Sequence, residues 1–205
     1  MALPTSTAIL AGYSTSVSAT NKIEAFLDYT CPFSKRFFDR VYNDVIPWAD
    51  QEHPGKFAFQ FRHQVQPWHP QSTLLHEAAI AVQQIDPSKF LPFSSKLFAV
   101  VADRWFDNLA YEKSRSEIYG ELATFAEESV GIPREQVLSL LRRKIVEGSK
   151  NTGNEVTNVL KLHVRISRQN AIHVSPTVLF NGLIDNNVSS GWDLEQWKAY
   201  LTDRL

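Results

Sequence analysis

The sequence predicts an α/β fold: a β-α-β unit, an inserted all-helical block, and a closing α-β-β-α segment. Three observations carry this. The hydrophobic period switches from strand-like to helical at Pro32, and a phenylalanine alternation follows at 57–61. From residue 72 the apolar positions then repeat at helical spacing for about eighty residues. Strand signals return only at 174–185, around the turn dipeptide Asn181-Gly182. Eight glycines in 205 residues fit a helix-rich chain with short loops.

Residues 22–29 (KIEAFLDY) form a mixed apolar stretch of strand length. Beyond Pro32, which suits a first helical turn, Phe37, Phe38, Val41, Tyr42, Val45 and Ile46 recur at three and four, with Pro47 and Trp48 marking the expected end. Residues 56–63 (KFAFQFRH) read as a strand with one aromatic face, His63 falling on its polar side. Helices are then expected at 72–85, around Leu97 to Phe106, at 114–129 and at 134–147, the last two separated by Gly131-Ile132-Pro133. A further helix is expected at 152–169, strands at 174–181 and 183–185, and a final helix with the capping-box spacing of Asp193 and Gln196 and the buried residues Leu194, Trp197 and Leu201. The organisation is one discontinuous core, 1–70 with 152–205, interrupted by a helical insertion at 71–151.

Composition bounds the function. At 205 residues, 43% hydrophobic and 12% aromatic, the chain can build a core, which excludes wholesale disorder. Its 21 Lys and Arg against 22 Asp and Glu leave a net charge of −1, so there is no basic surplus of the kind general nucleic-acid or acidic-membrane binding needs. One cysteine, Cys31, excludes an intramolecular disulfide and a multi-thiolate zinc or iron–sulfur site within one chain. No metal site is expected.

The first twenty residues contain eight Ser or Thr and no Lys or Arg, and Ala8-Ile9-Leu10-Ala11 is a short apolar core for a secretory signal. No run is long enough to span a bilayer. The terminal Asp203-Arg204-Leu205 matches a peroxisomal address only loosely. The expectation is an intracellular, cytoplasmic protein without membrane association.

Cys31-Pro32-Phe33-Ser34 falls where a strand hands over to a helix. The first turn of a helix leaves backbone N–H groups without partners and concentrates positive partial charge there, and a thiolate gains from both. Ser34, one turn on, is expected to point its hydroxyl at the sulfur. Alternatively, a lone cysteine is a small buried apolar filler. In Ser175-Pro176-Thr177, Pro176 interrupts an otherwise good strand, as an edge strand would allow or a cis-proline loop turned towards a thiol site would require.

Together these features resemble the thioredoxin fold. The start with Cys-Pro-x-Ser, the helical block, and Ser-Pro-Thr before a hairpin and terminal helix are similar to its DsbA-like branch, which carries a helical insertion and has kappa-class glutathione transferases among its relatives. The resemblance covers residues 22–205. It implies that Cys31 is the nucleophilic thiol, that Ser34 replaces the resolving cysteine, that Pro176 is the cis-proline, and that Pro32, Phe33 and the backbone of Ser175 contact substrate.

Ser34 is also the departure. A dithiol oxidoreductase attacks with one thiol and releases the mixed disulfide with a second, and this chain has no second thiol. The leading expectation is a monothiol oxidoreductase whose Cys31 thiolate forms mixed disulfides or adducts that an external thiol such as glutathione resolves. The alternatives are a kappa-like transferase or isomerase in which Cys31 or Ser34 orients the glutathione sulfur, and a non-enzymatic binding protein of the same fold. In the two enzymatic readings glutathione is the expected co-substrate, and no covalently bound cofactor is expected. The partners expected are a small-molecule thiol, a disulfide or an electrophile, and a homodimer is compatible with the sequence.

Residues 64–72 (QVQPWHPQS) lead into the helical block, and Trp68 and His69 are candidates for lining a substrate groove, the bland alternative being a proline-fixed linker with Trp68 plugging the core. His173, just before the proline loop, is a further candidate. His76-Glu77 begins like a zinc-protease motif, but Ile80 stands where its second histidine belongs. His163, on a helix, is expected to be solvated or satisfied.

Overall fold

The computed structural model describes residues 13–15 and 18–205; the apolar stretch at 8–11 lies outside them. Its sheet has five strands, β1 (Tyr13–Ser14), β2 (Asn21–Leu27), β3 (Phe57–His63), β4 (Thr177–Phe180) and β5 (Leu183–Ile184), in the order β1-β3-β2-β4-β5. β2 and β3 are parallel, with Leu27 opposite His63, and every other pairing is antiparallel. A parallel pair needs a crossover. Here it is the helical passage α1 (Pro32–Arg40), a π-turn (Val41–Val45) and α2 (Ile46–Glu52).

That passage runs past Pro47, where the sequence suggests an end. A proline inside an α-helix removes a donor and crowds the carbonyl four residues back. The chain absorbs this by widening the preceding turn, in which Ile46 N–H reaches the Val41 carbonyl, five residues back rather than four.

The inserted block comprises α3 (Ser72–Ile85), a 3-10 turn (Pro87–Lys89), α4 (Phe90–Arg104), α5 (Asp107–Ala110), α6 (Arg115–Val130) and α7 (Arg134–Leu141). α3 is buried on all sides, from Leu74 to Val82, between α4, α6, α7 and the later α8 (Thr157–Gln169). Burying Glu77 in that position requires partners. It accepts hydrogen bonds from Tyr119 Oη and from Asn154 Nδ2 at 3.1 Å, and Arg115 lies at 3.3 Å.

α7 stops at Leu141, short of the expected 147, because 142–150 offers only Ile145 and Val146 as apolar residues and both are exposed, so no face is left to bury. The connection returns through Lys144 N to the Gly153 carbonyl and Glu155 N to the Leu140 carbonyl, and α8 starts at Thr157 rather than 152. α9 (Leu194–Thr202) has the capping box expected of Asp193 and Gln196, with Trp197 and Leu201 buried, while Leu194, expected to be buried with them, is only half-buried at the helix start.

One continuous hydrophobic cluster joins the sheet, through Ile23, Leu27, Phe59 and Phe61, to the insertion, through Leu75, Phe98, Leu122 and Leu141. A smaller cluster, Phe26, Ile172 and Leu179, packs the other sheet face. Among the described residues no helix is long and apolar enough to cross a membrane.

Candidate active site

β2 ends at Leu27, and the next four residues build the turn that presents the thiol. Cys31 is the N-cap of α1, with φ −88° and ψ 119°, Pro32 follows in the first turn, and Lys35 N–H bonds the Cys31 carbonyl at 3.0 Å. Cys31 N–H bonds back to the Asp28 carbonyl at 3.2 Å. By the geometry of any helix start, the amides of Phe33 and Ser34 have no carbonyl one turn back.

The carboxylate of Asp28 holds this turn and is itself buried. It accepts hydrogen bonds from Thr30 N at 2.6 Å and from Thr30 Oγ1, from Gln66 N at 2.6 Å and from Ser72 Oγ at 2.6 Å. His76 Nε2 stands 3.7 Å away, an ion-pair rather than a hydrogen-bond distance. Burial pushes the carboxyl up, but His76 and the hydroxyls of Ser72 and Thr30 outweigh it and hold its pKa at about 2. One carboxylate thereby ties the end of β2, the cysteine turn, the 64–71 loop and the first turn of α3 together. Sequence reasoning passed over Asp28; the available signal was a lone carboxylate among apolar residues three positions before the cysteine.

Ser34 is fully buried, and its Oγ accepts from Asp28 N at 3.3 Å. Its hydroxyl oxygen therefore supports the turn from behind. The thiol is 5% exposed, and its hydrogen bond runs not to the first-turn amides but to the Ser175 carbonyl, 3.2 Å from Sγ. The Ser175–Pro176 peptide is cis, and Thr177 Oγ1 closes the same loop on the Val174 carbonyl at 2.8 Å. Cys31 and Ser175, 144 positions apart, thus meet. Pro32, Phe33 and Val174 beside them are exposed, Phe33 by 54%, with the Arg36 guanidinium over the Phe33 ring.

The other candidates have neighbours of their own. Trp68 is 58% exposed and so plugs no core. His69 Nδ1 pairs with Asp107 at 2.9 Å, where Gln71 Nε2 also donates at 2.8 Å, and Phe106 lies beside the imidazole. Gln71 and His69 together draw the Asp107 carboxyl below its usual range. His173 is exposed and bonds the Ala171 carbonyl within its own loop. Among the described residues none of the three is hydrogen-bonded to Cys31.

Two histidines depart from expectation. His63 is 1% exposed, because a period of two puts it on the face of Phe57, Phe59 and Phe61, not on the polar one. His163 is 2% exposed rather than solvated. His63 Nδ1 lies 2.7 Å from His76 Nδ1, and the ring of His163 packs edge-on against His63. Nε2 of His63 and His76 and both ring nitrogens of His163 have no hydrogen-bond partner among the described residues. Burial, with His163 and His76 nearby, pushes His63 well below its usual pKa, and burial with Arg62 and His76 pushes His163 down to about 3. His63 and His163 are held as neutral imidazoles, and among the described residues no group of three or more His, Cys, Asp or Glu is arranged to hold a metal ion.

No protein-family model matches the chain, and no curated protein is significantly similar to it. Solved structures are. A provisionally assigned protein-disulfide isomerase from Pseudomonas syringae superposes with a TM-score of 0.73 at 21% identity, over 94% of this chain and 99% of that one. BdbD from Bacillus subtilis gives 0.67 at 19%, over 95% and 93%. MdbA, a thiol-disulfide oxidoreductase from Actinomyces oris, gives 0.64 at 14%, over 95% and 86%. The chain has the thioredoxin-like fold in its DsbA-like form, with a helical insertion. Within that fold it carries a single cysteine, at the start of α1 and against a cis-proline loop.

Proposed function

We propose that the protein is a monothiol thiol-disulfide oxidoreductase in which Cys31 is the nucleophile. The observation that carries this is the meeting of the Cys31 sulfur, at a helix start, with the Ser175 carbonyl of the cis-proline loop, 3.2 Å apart. Likeness to thiol-disulfide oxidoreductases such as MdbA supports it.

The Cys31 thiolate attacks one sulfur of a disulfide, forming a Cys31 mixed disulfide and releasing the other half as a thiolate. An external thiolate, glutathione for one, then attacks the mixed disulfide, takes the substrate's sulfur and returns Cys31 as thiolate. The partial positive charge of the helix start steadies the anion. Ser175, whose carbonyl already faces the sulfur, aligns the incoming chain through its backbone, and the exposed Phe33 and Val174 give that chain apolar lips. Pro32 keeps the first turn helical without adding a donor. Trp68, His69 and His173 have no part in the sulfur chemistry in this reading. Because the second thiol is external, the reaction belongs in a reducing intracellular compartment, with a small-molecule thiol as partner.

Incubation with oxidised glutathione followed by intact-mass measurement tests this. One glutathione adduct on the wild type, absent from Cys31→Ala and removed by reduced glutathione, is the expected result. No adduct, together with binding of reduced glutathione and turnover kept in Cys31→Ser, would instead select the transferase or isomerase chemistry. No adduct and no turnover, with ligand binding kept, would select a binding protein.

A further inference from the structure

We infer that a groove between α8 and the insertion is a binding site for a small polyanion, a molecule carrying two or more phosphate or carboxylate groups. The groove encloses about 620 Å³, a size typical of small-molecule sites. Its rim carries Lys161, Arg165 and Arg168 from α8, and Arg115 closes the opposite side.

The three α8 cations stand at i, i+4 and i+7, one face of the helix, with rises of about 6 and 4.5 Å between them. All three are exposed and none has an ion-pair or hydrogen-bond partner among the described residues. Several cations elsewhere are matched locally, Lys35 with Asp39 at 2.5 Å, Arg40 with Asp44 at 2.6 Å and Lys144 with Glu155 at 2.6 Å, whereas these three stand together on one face without a carboxylate. Like charges spaced in this way repel and weaken a helix. Complementing the helix dipole accounts for Arg168 in the last turn but not for Lys161 in the second. Nor is a carboxylate hidden nearby in sequence, since residues 156–184 contain no Asp or Glu.

Arg115 is held in place. Its Nε donates to Tyr119 Oη at 2.9 Å and its Nη2 to Glu77 at 3.3 Å, while Nη1 has no partner among the described residues. Glu77, the one acidic residue lining the groove, is buried and already bonded to Tyr119 and Asn154. Arg115, its ion-pair partner, balances its charge, and Lys161, Arg165 and Arg168 leave the rim with a surplus of positive charge. Thr73 and Asn151 add neutral polar groups to the lining. A fixed guanidinium facing a row of three free cations suits a ligand with at least two separated anionic groups.

Thermal unfolding and calorimetric titration with pyrophosphate and with citrate test this, against sodium chloride at equal ionic strength. The expected result is a saturable rise in Tm with one or both anions, and binding weakened roughly tenfold or more in the exposed double variant Arg165→Glu/Arg168→Glu. A response to pyrophosphate alone identifies phosphate as the recognised group, and to citrate alone carboxylate. Cys31→Ala binds like the wild type, which separates this site from the thiol chemistry. Stabilisation reproduced by chloride, no stabilisation by either anion, or binding kept in the double variant overturns it.

Discussion

At Asp28, one buried carboxylate receives hydrogen bonds from Thr30, Gln66 and Ser72 with His76 at 3.7 Å, and the cysteine turn is built on it. Asp28→Asn keeps the volume but turns an amide NH2 towards neighbours that are themselves donors. The expected cost is about 2–4 kcal/mol, read as a lower urea midpoint at unchanged m-value. Its pH dependence follows from a folded pKa of about 2 against an ordinary 3.8. The stabilisation is complete above the ordinary value and is lost as pH falls through the window down to about 2, so the wild type and Asp28→Asn converge in acid. An unchanged midpoint at neutral pH would remove Asp28 from its supporting role. At this scale the site was half legible. Cys31, Pro32 and Pro176 announce themselves because a cysteine at a helix start and a proline in a strand both break local pattern. The Asp28 hydrogen bonds span up to 44 positions, and nothing in a lone carboxylate says which distant donors it will meet.

Elements follow their sequence signals where the signals are local. α9 begins where the capping box of Asp193 and Gln196 says it should, with both reciprocal hydrogen bonds formed, at 2.9 and 3.0 Å. Asp193→Ala leaves a first-turn donor unpaired and is expected to cost about 1 kcal/mol; thermal unfolding measures it, and a shift no larger than that of a neutral surface substitution would show the cap to be redundant. α3 starts and ends as its periodicity suggests. Boundaries shifted where tertiary context overrode the local signal. The π-turn carried the helix through Pro47, and α7 ended once no apolar face remained to bury. His63 is different, for strand parity with Phe57, Phe59 and Phe61 was readable all along, and its polar chemistry obscured it.

For the whole molecule, the buried histidines set the acid limit of stability. His63 and His163 stay neutral in the folded chain well below 6.5, where they protonate when the chain unfolds. The unfolded state therefore binds more protons across that interval, so stability is full above 6.5 and falls steadily as pH drops from 6.5 towards about 3. His163→Leu, which keeps an apolar group in the same packed site, is expected to flatten that limb of a Tm-against-pH curve; an unchanged slope would place the acid sensitivity elsewhere. Since one hydrophobic cluster runs from the sheet through the insertion, this loss is expected as a single cooperative transition rather than an early melting of the helical block. The Asp28 carboxylate gives the same continuity a chemical side. Its Ser72 ligand opens the first helix of the insertion, while its Thr30 ligand adjoins the cysteine. A change of packing in the helical block therefore has a route of two hydrogen bonds to the turn that carries the Cys31 sulfur.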